Sequence, residues 1–284
     1  MNHSIKRLHL LTLNVGFAHH EADWNWKSVQ SPFNRLYLVT EGDAYVQIGT
    51  KEIHLTPEHL YLIPAYMTHS YKCIGHFCLY YVHIYEDNEA NQSIMENYEF
   101  PYEIKADKHS EEMMKRLCYI YPFLKLPESN PDSYNNYKSM VNSIQKNNEC
   151  SMCDNIEAQG ILLILISHFF FQARQKNDVK NDYIAQTLHF IRQNLDKKID
   201  IQELADKACM SKDYYIRLFK QQVGSTPNAY ITTKKIEKAE LLLVTTNKPI
   251  NTLAYNLGYD NCSYFIRTFK KITGYTPLQY RQMK

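Results

Sequence analysis

The sequence predicts an α+β protein of two domains: an antiparallel β-barrel or sandwich followed by helices, then an all-α domain built on a repeated unit. Three observations predict it. Short runs rich in β-branched and aromatic residues, punctuated by turn signals, fill residues 10–105. Amphipathic stretches replace them after residue 108. A 20-residue pattern starting at Ser211 then recurs 50 residues further on. A length of 284 residues has room for such a pair, since domains average about 150 residues.

The strand-like runs are Arg35–Val39, Ala44–Ile48, His59–Ile63 and Leu79–Ile84, with turns at Glu41-Gly42-Asp43, Gly49-Thr50-Lys51 and Pro64-Ala65. Several short strands at this spacing favour an antiparallel barrel or sandwich of the jelly-roll kind over a parallel sheet. Residues 108–122 and 132–148 then read as helices, and 154–174 as a third that is apolar on most sides. Such a helix must be covered. Packing on its own barrel and a dimer seam both satisfy that requirement.

Hydrophobic residues make up 44% and charged residues 22%, which excludes a mostly disordered or collagen-like chain. Only 8 glycines disfavour a glycine-rich phosphate loop. No run reaches the roughly 20 apolar residues that cross a bilayer, and the first 15 residues lack a long apolar segment with a small-residue cleavage site. The expected location is therefore the cytoplasm, with no membrane partner. Seven cysteines are expected as free thiols. Cys150 and Cys153 form a lone CxxC without a second pair at zinc spacing and are read as incidental.

The net charge of +2 argues at first sight against a polyanion partner, but it hides an asymmetry. Residues 180–284 hold 17 Lys+Arg against 9 Asp+Glu, a surplus of +8; residues 1–179 hold 15 against 21, a deficit of −6. One basic domain joined to an acidic one is the distribution expected when a single domain meets nucleic acid. The boundaries follow: a first domain over 1–175, a polar linker over 176–182 and a second domain over 183–284.

Within the basic domain, residues 211–230 and 261–280 are identical at nine of 20 positions. Each copy reads as a helix-turn-helix. In the first, Ile201–Ala208 is a short helix, Cys209-Met210 a turn, and Ser211 the cap of a second helix that stops at Gly224. In the second, Pro249 precedes the short helix, Gly258 lies in the turn, and Asp260 or Asn261 caps a helix ending before Gly274. Tyr215, Leu218, Phe219, Phe265 and Phe269 share the inner faces. Lys212, Asp213, Ile216, Arg217 and Cys262, Ser263, Ile266, Arg267 fall on the opposite, solvent faces. An exposed Arg beside an apolar side chain suits the major groove, where Arg reads guanine and the apolar group meets the thymine methyl. Ordinary solvated helices would explain one such face; two in tandem in the basic domain favour DNA. The helix-like stretch Asn228–Thr245 spans about 27 Å at about 1.5 Å per residue. That length brings two reading helices to successive major grooves, about 34 Å apart.

These residues carry a resemblance. The spacing of Ile250, Leu253, Ala254, Gly258, Tyr259, Tyr264, Phe265, Arg267, Phe269, Lys270, Lys271, Gly274, Thr276, Pro277, Tyr280 and Arg281 resembles the signature of the AraC/XylS family of bacterial transcription regulators over residues 183–283. The N-terminal half is similar to the cupin-type barrel of such regulators at Glu41-Gly42 and from Leu62-Ile63-Pro64 to His69. The resemblance implies base or phosphate contacts from Lys212, Asp213, Ile216, Arg217, Cys262, Ser263, Ile266 and Arg267, and core positions for Tyr214, Tyr264, Phe219, Phe269, Leu253 and Ala254. Lys220, Lys234, Lys235, Lys270 and Lys271 are candidates for phosphate contacts. It also implies double-stranded DNA, a small-molecule effector and a second copy of the chain as partners, with RNA polymerase as a further one.

For the effector, Trp24, Trp26, Tyr37, His69, Tyr71, Tyr81 and His83 would give a barrel interior the aromatic faces and polar tips that small-molecule pockets use, sugars among them. Core filling is the alternative use of the same side chains. By analogy with such barrels, the segment before Gly16 is an arm that folds over the pocket. Metal-binding cupins use His, His, Glu and a further His; here Trp24–Gly42 holds no HxH, and His19, His20, His54, His59, His76 and His83 show no ligand spacing, so that only convergence in space would make them ligands. No metal, other cofactor or catalytic activity is expected. The alternatives are a cupin-type metal-dependent enzyme and a DNA-binding protein that answers to no ligand.

Overall fold

The computed structural model describes residues 8–87, 93–135, 137–175 and 183–282, which form two compact units. The linker expected at 176–182 lies outside the described residues.

The first unit opens with β1 (Leu10–Glu21), β2 (Asn34–Gly42), β3 (Ala44–Ile48), β4 (Lys51–Leu55), β5 (His59–Ile63), β6 (His69–Lys72) and β7 (His76–Glu86). It continues with β8 (Tyr98–Glu99) and β9 (Glu103–Lys105), then α1 (Ser110–Ile120), α2 (Pro131–Tyr134), α3 (Tyr137–Asn148), α4 (Met152–Phe170) and β10 (Arg174–Gln175). Two antiparallel sheets, ordered β1-β7-β2-β5-β9 and β4-β3-β6, face each other. Tyr37, Val39, Phe77, Leu79 and Tyr81 from the larger meet Val46, Ile53, Leu55 and Tyr71 from the smaller in one core. The outer face of the larger sheet buries Leu36, Leu38, Leu60, Leu62 and Val82 against Met114 and Leu117 of α1 and Leu162, Leu165, Ile166 and Phe169 of α4.

Three sequence expectations change here. The segment before Gly16 is no arm from residue 10 on: Leu10, Leu13 and Val15 are buried in β1, which pairs with β7 along its length; residues 1–7 lie outside the described residues. The single helix expected over 132–148 is two, because Asn130 accepts a bond from the Asp132 N–H to start a short turn and Asn135 leaves helical geometry at φ −87°, ψ 22°. Helix α4 ends at Phe170 rather than 174, where Arg174–Gln175 pairs with Tyr98–Glu99.

The second unit is α5 (Tyr183–Gln193), α6 (Ile201–Lys207), α7 (Lys212–Val223), α8 (Pro227–Thr245), α9 (Ile250–Asn256), α10 (Cys262–Thr273) and α11 (Pro277–Gln282). One core gathers Ile191, Leu204, Ala205, Tyr215 and Phe219; the other gathers Leu253, Ala254, Leu257, Phe265 and Phe269. Helix α8 joins them, giving Ile231 to the first and Ile236, Ala239 and Leu243 to the second. Among the described residues no single helix is long and apolar enough to cross a membrane. The seven cysteines are free thiols.

Candidate functional site

The repeated unit sets the first site. In each copy a short helix leads through one left-handed residue, Cys209 at φ 54° or Gly258 at φ 66°, into the longer helix α7 or α10. Asn261 caps α10 by accepting a bond from the Tyr264 N–H at 3.1 Å, whereas Ser211 holds the same place before α7 without a side-chain bond. Gly224 and Gly274, at φ 83° and 84°, end the two helices. With Tyr215, Phe219, Phe265 and Phe269 buried, the opposite faces turn outward. Lys212, Asp213, Arg217, Ser263 and Arg267 are exposed, as are Lys220, Lys270 and Lys271. Among the described residues none of these cations pairs with a carboxylate, so their charge is available to a polyanion.

The rest of that surface differs from the expectation. Ile216, Ile266 and Cys262 are half-buried and lean on the two cores, because they flank the inner face rather than oppose it. Tyr214 and Tyr264, expected in the core, are 50% and 54% exposed. Three residues before Arg217 and Arg267, they share the Arg stripe. Tyr264, Arg267, Thr268 and Lys271 line one wall of a groove of about 530 Å³, whose other wall is Asn228, Ala229, Thr232 and Thr233 of α8.

Two phosphate candidates are otherwise engaged. Lys235 is buried, and its Nζ donates to the Lys197 carbonyl at 2.7 Å and the Gly258 carbonyl at 3.4 Å; burial pushes its ammonium down to about 8. It braces the turn of the second unit. Lys234 donates to Glu237 at 2.7 Å and sits over the Tyr230 ring.

The second site is a cavity of about 420 Å³ at the mouth of the barrel. Trp24, Tyr37, Tyr81 and His83 line it together with Phe17, His20, Asp23, Lys125, Glu128, Ser129 and Tyr134. His69 and Tyr71 stand behind this wall, held in a chain: Tyr71 Oη lies 2.8 Å from Tyr37 Oη and 2.7 Å from His69 Nε2, while His69 Nδ1 donates to the Met67 carbonyl at 2.8 Å. Burial, aided by Arg35, pushes His69 down to about 4, so it stays neutral and accepts from Tyr71. Trp26 lies outside the lining altogether, half-buried at the surface. The three are packing and positioning side chains here because each spends its polar or aromatic face on the barrel's own atoms.

Arg35 is the residue that run-and-turn reading passes over. It is 1% exposed, shares the inward face of β2 with Tyr37, and among the described residues has no carboxylate partner. Its Nη1 lies 3.1 Å from His83 Nε2 and donates to Tyr134 Oη at 3.2 Å; Nη2 donates to Ser31 Oγ, and Nε has no partner. Burial and the adjacent guanidinium hold His83 well below the usual imidazole range. The signal was present: a charge at an inward position of an alternating strand is costly unless it serves a polar network. Tyr134 arrives only because α2 breaks from α3, which no local pattern announces.

These two sites sit on a barrel with a cavity and on a tandem helix-turn-helix. Residues 14–124 match the AraC-like ligand binding domain and residues 204–283 a helix-turn-helix domain. With both in this order the chain belongs to the AraC/XylS family. It is similar to the xylose operon regulatory protein of Escherichia coli K12, with 35% identity over 100 residues, 35% of this chain and 26% of that protein. It is also similar to the arabinose operon regulatory protein of the same organism, with 36% identity over 99 residues, 34% of each. The matched stretches thus span a quarter to a third of those relatives. Among solved structures, the C-terminal domain of the response regulator yesN from Fusobacterium nucleatum aligns with 34% of this chain and 95% of its own, at 32% identity and a TM-score of 0.34.

Proposed function

We propose that the chain is a sequence-specific regulator of transcription that reads double-stranded DNA with α7 and α10 in successive major grooves, under the control of a small organic molecule, a sugar first, held in the barrel cavity. The observation that carries the reading is the duplicated outward face: Tyr214, Arg217 and Lys220 recur as Tyr264, Arg267 and Lys270 on helices of the same length and ends. Arginine and flanking tyrosine on a helix that fits a groove supply both base-edge and backbone contacts. The test is selection of binding sites by the full chain from random duplex DNA. Enrichment of a bipartite site with half-sites about one helical turn apart is expected; binding without enrichment of any sequence would falsify the reading.

The cavity supports a sugar through the Trp24 indole in its wall and the hydroxyls of Tyr37, Tyr134 and Ser129, backed by Arg35 and His83. Titration of the full chain with pentoses and hexoses is expected to change tryptophan emission and raise Tm, by about 2.7 kcal/mol of stabilisation at 100 times Kd. Trp24→Leu should weaken that binding about tenfold, the equivalent of about 1.4 kcal/mol, while Trp26→Leu leaves it unchanged. Equal losses in the two variants, or no response to any sugar, would remove the assignment.

A homodimer and contact with RNA polymerase belong to the same proposal. Helix α4 buries one side in its own unit and leaves Met152, Ile156 and Ile164 outward, with Ile156 66% and Ile164 50% exposed. A second copy that covers this stripe accounts for it. Light scattering should give a dimer for the native chain and a monomer for Ile156→Lys with Ile164→Lys; a native monomer at tens of micromolar contradicts the seam. Ligand control then requires that the effector bind one arrangement of the reading helices more tightly than another.

A further inference from the structure

We propose that the outer face of the barrel carries a binding site for one divalent transition-metal ion of the zinc class, formed by His19, His76 and Cys78 with Glu41 as the fourth donor. This goes beyond regulation by an organic effector and departs from the expectation of no metal, which rested on sequence spacing. The topology assembles what spacing could not: His19 stands opposite Cys78 in the β1–β7 pairing, Glu21 opposite His76, and Glu41 opposite Cys78 in the β2–β7 pairing.

His19, His76 and Cys78 each place one ligand atom within 4.8 Å of the others. Cys78 Sγ lies 3.5 Å from His76 Nε2. Two donors on a tetrahedral zinc ion, with bonds of about 2.3 Å to sulfur and about 2.0 Å to nitrogen, stand about 3.5 Å apart. Glu41 Oε2 lies 3.2 Å from the same nitrogen, so sulfur, nitrogen and oxygen converge on one region. Glu21 Oε1 lies 3.0 Å from His76 Nδ1 and 2.7 Å from His19 Nε2. A carboxylate on the far nitrogen of an imidazole is the arrangement that fixes the ring of a metal-bound histidine. A mere ion-pair cluster has no use for a thiol, whereas a set of sulfur, nitrogen and carboxylate donors selects zinc-like ions over magnesium or calcium. Cys78 faces away from the barrel core, which takes its neighbours Phe77 and Leu79, while His19 also stands at the edge of the cavity.

The test uses the full chain, stripped with a chelator and dialysed against Zn²⁺ or Co²⁺. Expected are one zinc per chain after gel filtration and, with cobalt, a near-ultraviolet thiolate-to-metal charge-transfer band. Cys78→Ser and His76→Asn should each abolish the band while far-ultraviolet circular dichroism stays native, and two variants protect the result against one that fails to fold. Glu21→Gln should weaken zinc binding about 10- to 100-fold. The double variant Cys150→Ser with Cys153→Ser should keep the band. Sub-stoichiometric zinc, a band that survives Cys78→Ser, or one lost with Cys150 and Cys153 overturns the proposal.

Discussion

Replacing Arg217 or Arg267 with alanine is expected to weaken binding to the selected DNA site by about 1–3 kcal/mol and to relax preference at the base pairs under that helix. Both guanidinium groups are exposed and, among the described residues, unpaired, so no described internal interaction is lost with them. Lys271→Ala should behave differently. Its ammonium lies two turns further along the groove wall from Tyr264, and its loss should lower affinity for all sequences alike and reduce the salt slope by about one. Fluorescence anisotropy at several salt concentrations, on the selected and a scrambled duplex, separates the two behaviours. If Arg267→Ala lowered both affinities equally, α10 would be a backbone clamp and not a reader.

Gly258→Ala is expected to be the most damaging glycine substitution in the second unit. Its φ is 66°, and an added Cβ would fall 2.5 Å from the Lys197 carbonyl carbon and 2.8 Å from Lys235 Nζ. The left-handed conformation costs a side chain about 1–2 kcal/mol, and forcing the backbone of residue 197 aside brings the total to about 2–4 kcal/mol. Gly224 and Gly274 are also left-handed but have nothing within 4 Å of the added atom. Their alanine variants should lose only about 1–2 kcal/mol. Urea denaturation of the three variants gives the ranking. Equal losses would show that the contact with the 197 loop yields freely and that the turn needs only its backbone angle.

The helical repeat was legible because identities at a fixed offset survive without knowledge of the fold. Identity did not say which way each repeated side chain points. Tyr214 and Tyr264 recur like Phe219 and Phe269, yet the tyrosines face solvent and the phenylalanines the cores. Lys235 looked like any surface lysine, since its two carbonyl partners lie 38 and 23 residues away. In the barrel, strand β1 was hidden because residues 10–16 are buried or half-buried on both faces, which erases the alternation that marks a half-exposed strand. Four of the seven aromatic and histidine side chains chosen for the effector reach the cavity wall, those being Trp24, Tyr37, Tyr81 and His83. The proposed metal site was illegible for a related reason: His76 lies 2 residues from Cys78, 35 from Glu41 and 55 from Glu21, and only strand register brings them together.

Helix α8 is shared property of the two helix-turn-helix units, since it seals one core with Ile231 and the other with Ile236, Ala239 and Leu243. On the proposed reading, the two heads cannot adjust their phase on DNA independently. One residue inserted into the rod would advance the second head by about 1.5 Å and swing it by about 100°. The separation of half-sites is therefore a dimension written into the length of one helix, and no base-contacting side chain can change it.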